Sequence, residues 1–257
     1  MQYPLAGSDD RRSVSMASPR PLRAVLTGGS SGIGRAVALR LAGPGAVLRL
    51  PGRSPDRLEA IRREIVAAGG QAVTDSLDLA DADAVGSWAR SLELAEGLDL
   101  LVHAAGTIRL GPLAEATDED FERHFAVNVA APFLLTRELL PALRRAGGQV
   151  AFVNSTSGRA AAGRGAGLYA ASKHALRAIA DALRNEENRH GVRVLSVFPG
   201  RTATPMQEAV VAFEGGAYRP ERLLQPDDVA EALVHALSMP RTAEVTEVDL
   251  RPFQPPD

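Results

Sequence analysis

A chain of 257 residues with 29 lysines and arginines against 31 aspartates and glutamates has a formal net charge of -2, which excludes the basic field that nucleic acid or an anionic membrane would require. It contains no cysteine, so disulfides and thiolate metal sites are excluded, and no uncharged apolar run of about eighteen residues marks a membrane span. The composition is that of a soluble, cytoplasmic protein with a large core and a small-molecule partner, neither nucleic acid nor membrane.

The first twenty residues, MQYPLAGSDDRRSVSMASPR, are polar, and no apolar export region follows Arg11-Arg12. They read as a flexible tail (1–20) ahead of a single domain over 21–257. From Leu22 onward, short β-branched or leucine-rich runs alternate with longer stretches of helical periodicity. The runs are LRAVLTG, AVLRL, QAVTDSLDL, LDLLVHAAG, QVAFVNS and GVRVLSVFPG. Their near-continuous apolar character suits strands buried on both faces, and several intervening segments end in glycine as helices do. The order predicts an α/β fold of repeated βαβ units in one open parallel sheet.

After the sixth run, TPMQEAVVAFEGGAYRPERLLQ breaks the alternation and is expected to form a mobile substrate cover near 205–225. Val210, Val211, Phe213 and Tyr218 would make an apolar substrate wall there or pack on the body. A last helix, PDDVAEALVHALSM, and a last strand, EVTEVDL, follow.

The first strand–turn–helix, VLTGGSSGIGRAVALRLAG, contains T-G-x-x-x-G-x-G at Gly28, Gly32 and Gly34. Absent side chains permit the tight turn and let backbone N–H groups around Ser30, Ser31 and Ile33 approach a pyrophosphate at the helix N-terminus. The same residues satisfy G-x-S-x-G, the nucleophile elbow of hydrolases, with Ser30 as nucleophile. Against that alternative, the turn follows the first strand, and none of His103, His124, His174, His190 and His235 has a distinctive acid partner by sequence.

At the end of the second strand, LRLPGRSPDR offers Gly52 and Arg53 where an acidic residue would bind a ribose 2′-hydroxyl. A guanidinium there suits a 2′-phosphate, favouring NADP(H) over NAD(H), unless Arg53 is a solvated loop cation. Asp78, with Leu79 beside it at the end of the third strand, would contact adenine or cap a turn.

Further along, Tyr169 and Lys173 in YAASK are four apart and share one helical face. An adjacent cation lowers a phenol's pKa by roughly 1 to 3 units, toward a value useful for proton transfer. TGGSSGIG, HAAG, Asn128 in VNV, a serine ending the fifth strand, YAASK and PGRTAT together resemble the short-chain dehydrogenase/reductase family over about Leu22 to Leu250.

That resemblance implies a single Rossmann-type doubly wound parallel sheet with helices on both faces, a nicotinamide cofactor and metal-independent interconversion of a ketone and a secondary alcohol, with Tyr169 as general acid/base. Lys173 would tune the phenol and hold the nicotinamide ribose, and Asn128 would kink its helix and support a water-mediated proton relay, unless it is a satisfied buried amide. The serine partner is ambiguous: counting back thirteen residues from the tyrosine reaches Thr156, whereas the strand frame reaches Ser155, which is preferred because register decides which side chain faces the site. Ala105 and Gly106 would border the cofactor, as would Pro199 and Gly200. Thr202 and Thr204 would reach the carboxamide or a phosphate, or cap their own turn.

Two departures from the family pattern stand out. HAAG replaces the common NNAG, making His103 a packed or sheet-bracing residue, and VTEVDLRP replaces VDGG, which weakens the implication of four subunits. A homodimer or homotetramer is expected. A non-catalytic NADP(H)-binding sensor or scaffold is the other class, but sensing alone needs no proton donor.

Overall fold

The structure, a computed structural model, describes residues 21–160 and 165–253, so the tail expected at 1–20 lies outside the described residues. Seven strands form one sheet: β1 (Arg23–Thr27), β2 (Val47–Gly52), β3 (Gln71–Ser76), β4 (Leu100–His103), β5 (Gln149–Val153), β6 (Arg193–Pro199) and β7 (Glu247–Leu250). Their order is β3-β2-β1-β4-β5-β6-β7, and every neighbouring pair is parallel.

Helices cover both faces, which is why the central runs carry almost no polar alternation. On one face α1 (Gly32–Leu41), α2 (Pro55–Ala67) and α8 (Pro226–Leu237) enclose Leu26, Leu48, Leu50 and Val102. On the other, α3 (Ala82–Ser91), α5 (Ala131–Ala146) and α6 (Gly167–Glu187) enclose Val25, Leu101, Val150 and Phe152. The chain leaves β1 toward β2 on one side and returns to β4 on the other. That reversal opens a crevice beyond the C-terminal ends of β1 and β4, where Thr27 pairs with His103.

Between β4 and β5 runs one continuous helix, Asp118–Ala146, made of α4 (Asp118–Phe125), a π turn (Ala126–Ala130) and α5. Its apolarity makes it long and apolar enough to cross a membrane by composition, but Leu135, Leu139 and Leu143 spend that apolarity on the sheet. The π turn has a readable cause. Pro132 has no N–H for the Asn128 carbonyl four residues earlier, and its ring displaces that carbonyl, so the helix widens around Asn128.

The expected cover contains a regular helix, α7 (Pro205–Glu214), with Pro205 in its first turn and Thr204 as its N-cap. The Thr204 hydroxyl accepts from the Gln207 N–H at 3.3 Å.

Candidate active site

The crevice is a cavity of about 640 Å³. Its floor begins at the glycine turn after β1. Gly28 has φ +72°, and a Cβ there would lie 2.6 Å from the Ala105 nitrogen; at Gly34 it would lie 2.2 Å from the Gly28 carbonyl oxygen. No side chain fits either place, so backbone lines the cavity. Ser31 caps α1 without a side-chain hydrogen bond, leaving first-turn N–H groups for an anion.

Ser30, Ser31, Gly32 and Ile33 line this end, with Asp78 and Leu79 after β3 and Ala105 and Gly106 after β4. Pro199, Gly200, Thr202 and Thr204, after β6, close the opposite wall. Among the described residues no histidine lines the cavity, which leaves Ser30 without the base a nucleophile elbow needs.

Several of these side chains are engaged in turns. The Asp78 carboxylate accepts from the Ala80 N–H at 3.0 Å, Thr202 donates to the Gly200 carbonyl at 3.1 Å, and Thr204 donates to the Thr202 carbonyl at 3.3 Å. Turn capping is therefore the role their oxygens already perform. Arg53 is exposed on the cavity rim and has no partner among the described residues. Arg57, in the first turn of α2, shares that rim and that freedom; the sequence reading missed it, although it is one helical turn beyond Arg53.

Tyr169 and Lys173 come together as their spacing requires, both buried on the inner face of α6 and both lining the cavity. Lys173 Nζ donates to the Val153 carbonyl at 3.0 Å and stands 5.7 Å from the Tyr169 ring centroid. Ser155 hydrogen-bonds the Tyr169 hydroxyl. It is half-buried, whereas Thr156 is exposed and begins a short 3-10 turn.

Asn154, also missed, fastens the group together. Its Oδ1 accepts from the Ser155 N–H at 2.9 Å and its Nδ2 donates to the Lys173 carbonyl at 3.1 Å, tying the end of β5 to α6. An asparagine closing a buried strand was the available signal.

The electrostatics correct one expectation. Burial drives the Tyr169 pKa up rather than down, and a hydrogen bond to Ser155 opposes that rise. Burial also pushes the Lys173 ammonium down to about 8.

Asn128 does not line the cavity. Fully buried, it accepts from the Thr107 N–H at 2.8 Å and donates to the Thr107 carbonyl and to Ser172 Oγ, both at 3.0 Å. Its side chain is thus a satisfied amide, with Gly106 between it and Lys173 Nζ. His103 is buried, its Nε2 2.9 Å from Thr136 Oγ1, its ring stacked on Phe152 and its pKa pushed down to about 3 by burial. It braces the sheet.

The cover is corrected in detail. Val210 lines the cavity with Met206 and Gln207, but Val211 is buried outside the lining, Phe213 is 47% exposed, and Tyr218 lies outside the lining. The α7 helix turns one face inward, so residues adjacent in sequence diverge. Gln207 Nε2 is enclosed without an acceptor among the described residues. Glu214 accepts two hydrogen bonds from Arg201, both 2.7 Å, across the cavity lip.

Comparison with known proteins agrees with this geometry. A family model described as short chain dehydrogenase matches residues 23–215. The chain is 34% identical to glycine betaine reductase ATRR of Emericella nidulans over 96% of its own length but spans only 20% of that protein. It is 33% identical to an uncharacterised oxidoreductase of Staphylococcus saprophyticus, over 89% of this chain and 96% of the relative.

Among solved structures, an alcohol dehydrogenase from Thermococcus sibiricus complexed with 5-hydroxy-NADP superimposes with a TM-score of 0.82 at 30% identity, covering 93% of this chain and all of the other. A metagenomic short-chain oxidoreductase in complex with NADP gives 0.78 at 31% identity, over 95% and 100% of the two chains. With its doubly wound parallel sheet, glycine cradle and family match, the chain belongs to the short-chain dehydrogenases, NAD(P)-dependent oxidoreductases acting on CH–OH and C=O groups.

Proposed function

We propose that the chain interconverts a ketone and a secondary alcohol with NADP(H), using Tyr169 as general acid/base. The observation that carries this reading is the Ser155–Tyr169–Lys173 group, buried against the same cavity as the glycine turn. A dinucleotide fits the residues present: a Cβ at Gly28 or Gly34 would close the cradle, and the enclosed Gln207 amide awaits an acceptor. The NADP-bound relatives support the same group. When bound, the nicotinamide supplies the hydride in reduction and takes it in oxidation.

The chain's own residues manage the oxygen and its proton. Ser155 hydrogen-bonds the substrate oxygen, and Tyr169 donates a proton to it during reduction and accepts one during oxidation. Burial keeps the phenol protonated, the state reduction needs. Lys173 holds the ribose hydroxyls with its inward ammonium. Asn128 acts on the site by holding Thr107 and Ser172, the residues flanking the Lys173 pocket. Arg53 and Arg57 pair with the 2′-phosphate, which favours NADP(H) over NAD(H).

Exposed Phe121 and Phe133 on the long helix support assembly as a homodimer or homotetramer. The test of function is NADPH oxidation against a ketone panel by wild type and Tyr169→Phe. Turnover by the wild type, lost in the variant with dinucleotide binding kept, is expected. Equal turnover by both would reject Tyr169 as the acid.

A further inference from the structure

We propose that His124 is a positioning residue that fixes the substrate-side wall of the cavity, setting the affinity for the carbonyl substrate without touching it. The inference rests on the functional reading above only in taking this cavity as the carbonyl site.

The wall is the segment after β4. Thr107, Ile108 and Leu110 line the cavity, and the segment is anchored through the backbone at alternate positions. The Thr107 N–H is held by Asn128 at 2.8 Å, the Arg109 N–H by His124 Nε2 at 3.1 Å, and the Gly111 N–H by the Gly165 carbonyl at 2.9 Å. The two apolar side chains that face the cavity, Ile108 and Leu110, therefore flank the Arg109 anchor. Asn128 and His124 are four apart on one helix, so one face grips the segment at two points.

The chemistry of His124 is determined at both nitrogens. An N–H donor at Nε2 requires that nitrogen to be an unprotonated acceptor. The Asp120 carbonyl, 2.6 Å from Nδ1, can only accept, so Nδ1 carries the proton. The ring is 1% exposed, so water cannot replace either bond. The other link, between the Arg109 guanidinium and the Asp120 carboxylate, leaves Arg109 58% exposed and holds the backbone weakly.

Loss of the imidazole acceptor frees residues 108–110. Thr107 stays held by Asn128, which shields Ala105 and Gly106 on the dinucleotide side. Substrate and dinucleotide binding should therefore separate.

The experiment compares wild type, His124→Phe and His124→Gln. Phenylalanine keeps the bulk without the acceptor, and the glutamine carbonyl restores an acceptor near the Nε2 position. In His124→Phe the KM for a ketone with an apolar flank should rise about tenfold, with kcat and the NADPH Kd changed by no more than about twofold; His124→Gln should return KM to within about threefold of wild type. Arg109→Pro deletes the donor from the wall side and should reproduce the KM effect, which keeps the test open if His124→Phe fails to fold.

An unchanged KM in both variants lacking the bond, or an equal rise in the NADPH Kd, would overturn the proposal. Amide hydrogen exchange separates it from the functional reading. Should the wild type reduce no ketone, that reading fails, while faster exchange at the Arg109 N–H in His124→Phe, with Thr107 still protected, would still support the anchor. Unchanged exchange at Arg109 would sink it.

Discussion

The Ser155 hydroxyl hydrogen-bonds the Tyr169 hydroxyl, and that contact is what opposes the burial holding the phenol's pKa up. Ser155→Ala removes the opposition and, in the proposed mechanism, a ligand of the substrate oxygen together. Its kcat for reduction should fall about 10- to 100-fold, and Tyr169→Phe should lose about 100- to 10,000-fold, with NADPH affinity retained in both. The pH profile separates the two effects. Alcohol oxidation needs the phenolate, so its rate climbs as pH rises through the phenol's pKa, and in Ser155→Ala that climb should move to higher pH. A profile that stays in place or moves down would show that the hydrogen bond does not act on Tyr169.

Arg53 and Arg57 present two guanidinium groups, without a partner among the described residues, on the rim beyond β2. Replacing either by alanine should raise the NADPH Kd about tenfold and leave the NADH Kd within about twofold, since only the phosphorylated ribose adds a charge to lose. Because the groups are exposed, the NADPH effect should shrink as ionic strength rises. Fluorescence titration of both dinucleotides at low and high salt decides it. Equal losses for NADH and NADPH would assign the arginines to something other than the 2′-phosphate.

Local patterns made much of this fold readable, and non-local balances hid the rest. The parallel sheet was legible because strands buried on both faces have no choice but continuous apolar runs, and Gly28 and Gly34 because backbone stands where their Cβ atoms would be. The approach of Tyr169 to Lys173 follows from helical spacing alone. The widened turn at Asn128 was expected only through the family resemblance, and Pro132, four residues beyond that carbonyl, is the signal that explains it. Burial was not legible: whether Lys173 lowers a phenol depends on its own desolvation, which the sequence does not state. Nor was the inward face of α7, where Val210 and Val211 part company, since both are apolar and only packing distinguishes them.

Lys173 makes stability depend on pH with a definite sign. Its pKa is about 8 in the folded chain and near 10.5 when solvated, so between those values the unfolded chain binds more protons and stability rises with pH. The gap of some two and a half units is worth on the order of 3 kcal/mol, charged against the fold below pH 8 and relieved by pH 10.5. Tyr169 acts in the opposite sense, but only above pH 10, where the unfolded phenol begins to ionise. Urea unfolding without dinucleotide between pH 7 and pH 10 should therefore show wild type gaining on Lys173→Met as pH rises. Parallel curves would mean that the ammonium is not desolvated.

Asn128 joins the widened turn to both sides of the site, and its two conservative replacements should fail differently. Alanine leaves the Thr107 N–H and carbonyl and the Ser172 hydroxyl without their partner in a buried place, a loss on the order of 3 kcal/mol. In a domain of this size that lowers Tm by roughly 6–12 °C. Aspartate keeps the shape and the acceptor for the Thr107 N–H but cannot donate to the carbonyl. It also sets a carboxylate close to Lys173, since Asn128 Oδ1 and Lys173 Nζ lie 3.5 and 3.8 Å from the point where a Gly106 Cβ would stand. A buried carboxylate there supplies the counter-charge that the ammonium lacks, so the Lys173 pKa should return upward and the stability gain between pH 8 and pH 10 should flatten. Asn128→Ala should keep that gain. Thermal unfolding of both variants across that range checks the argument, and an undiminished rise in Asn128→Asp would place the new carboxylate out of electrostatic reach of Lys173.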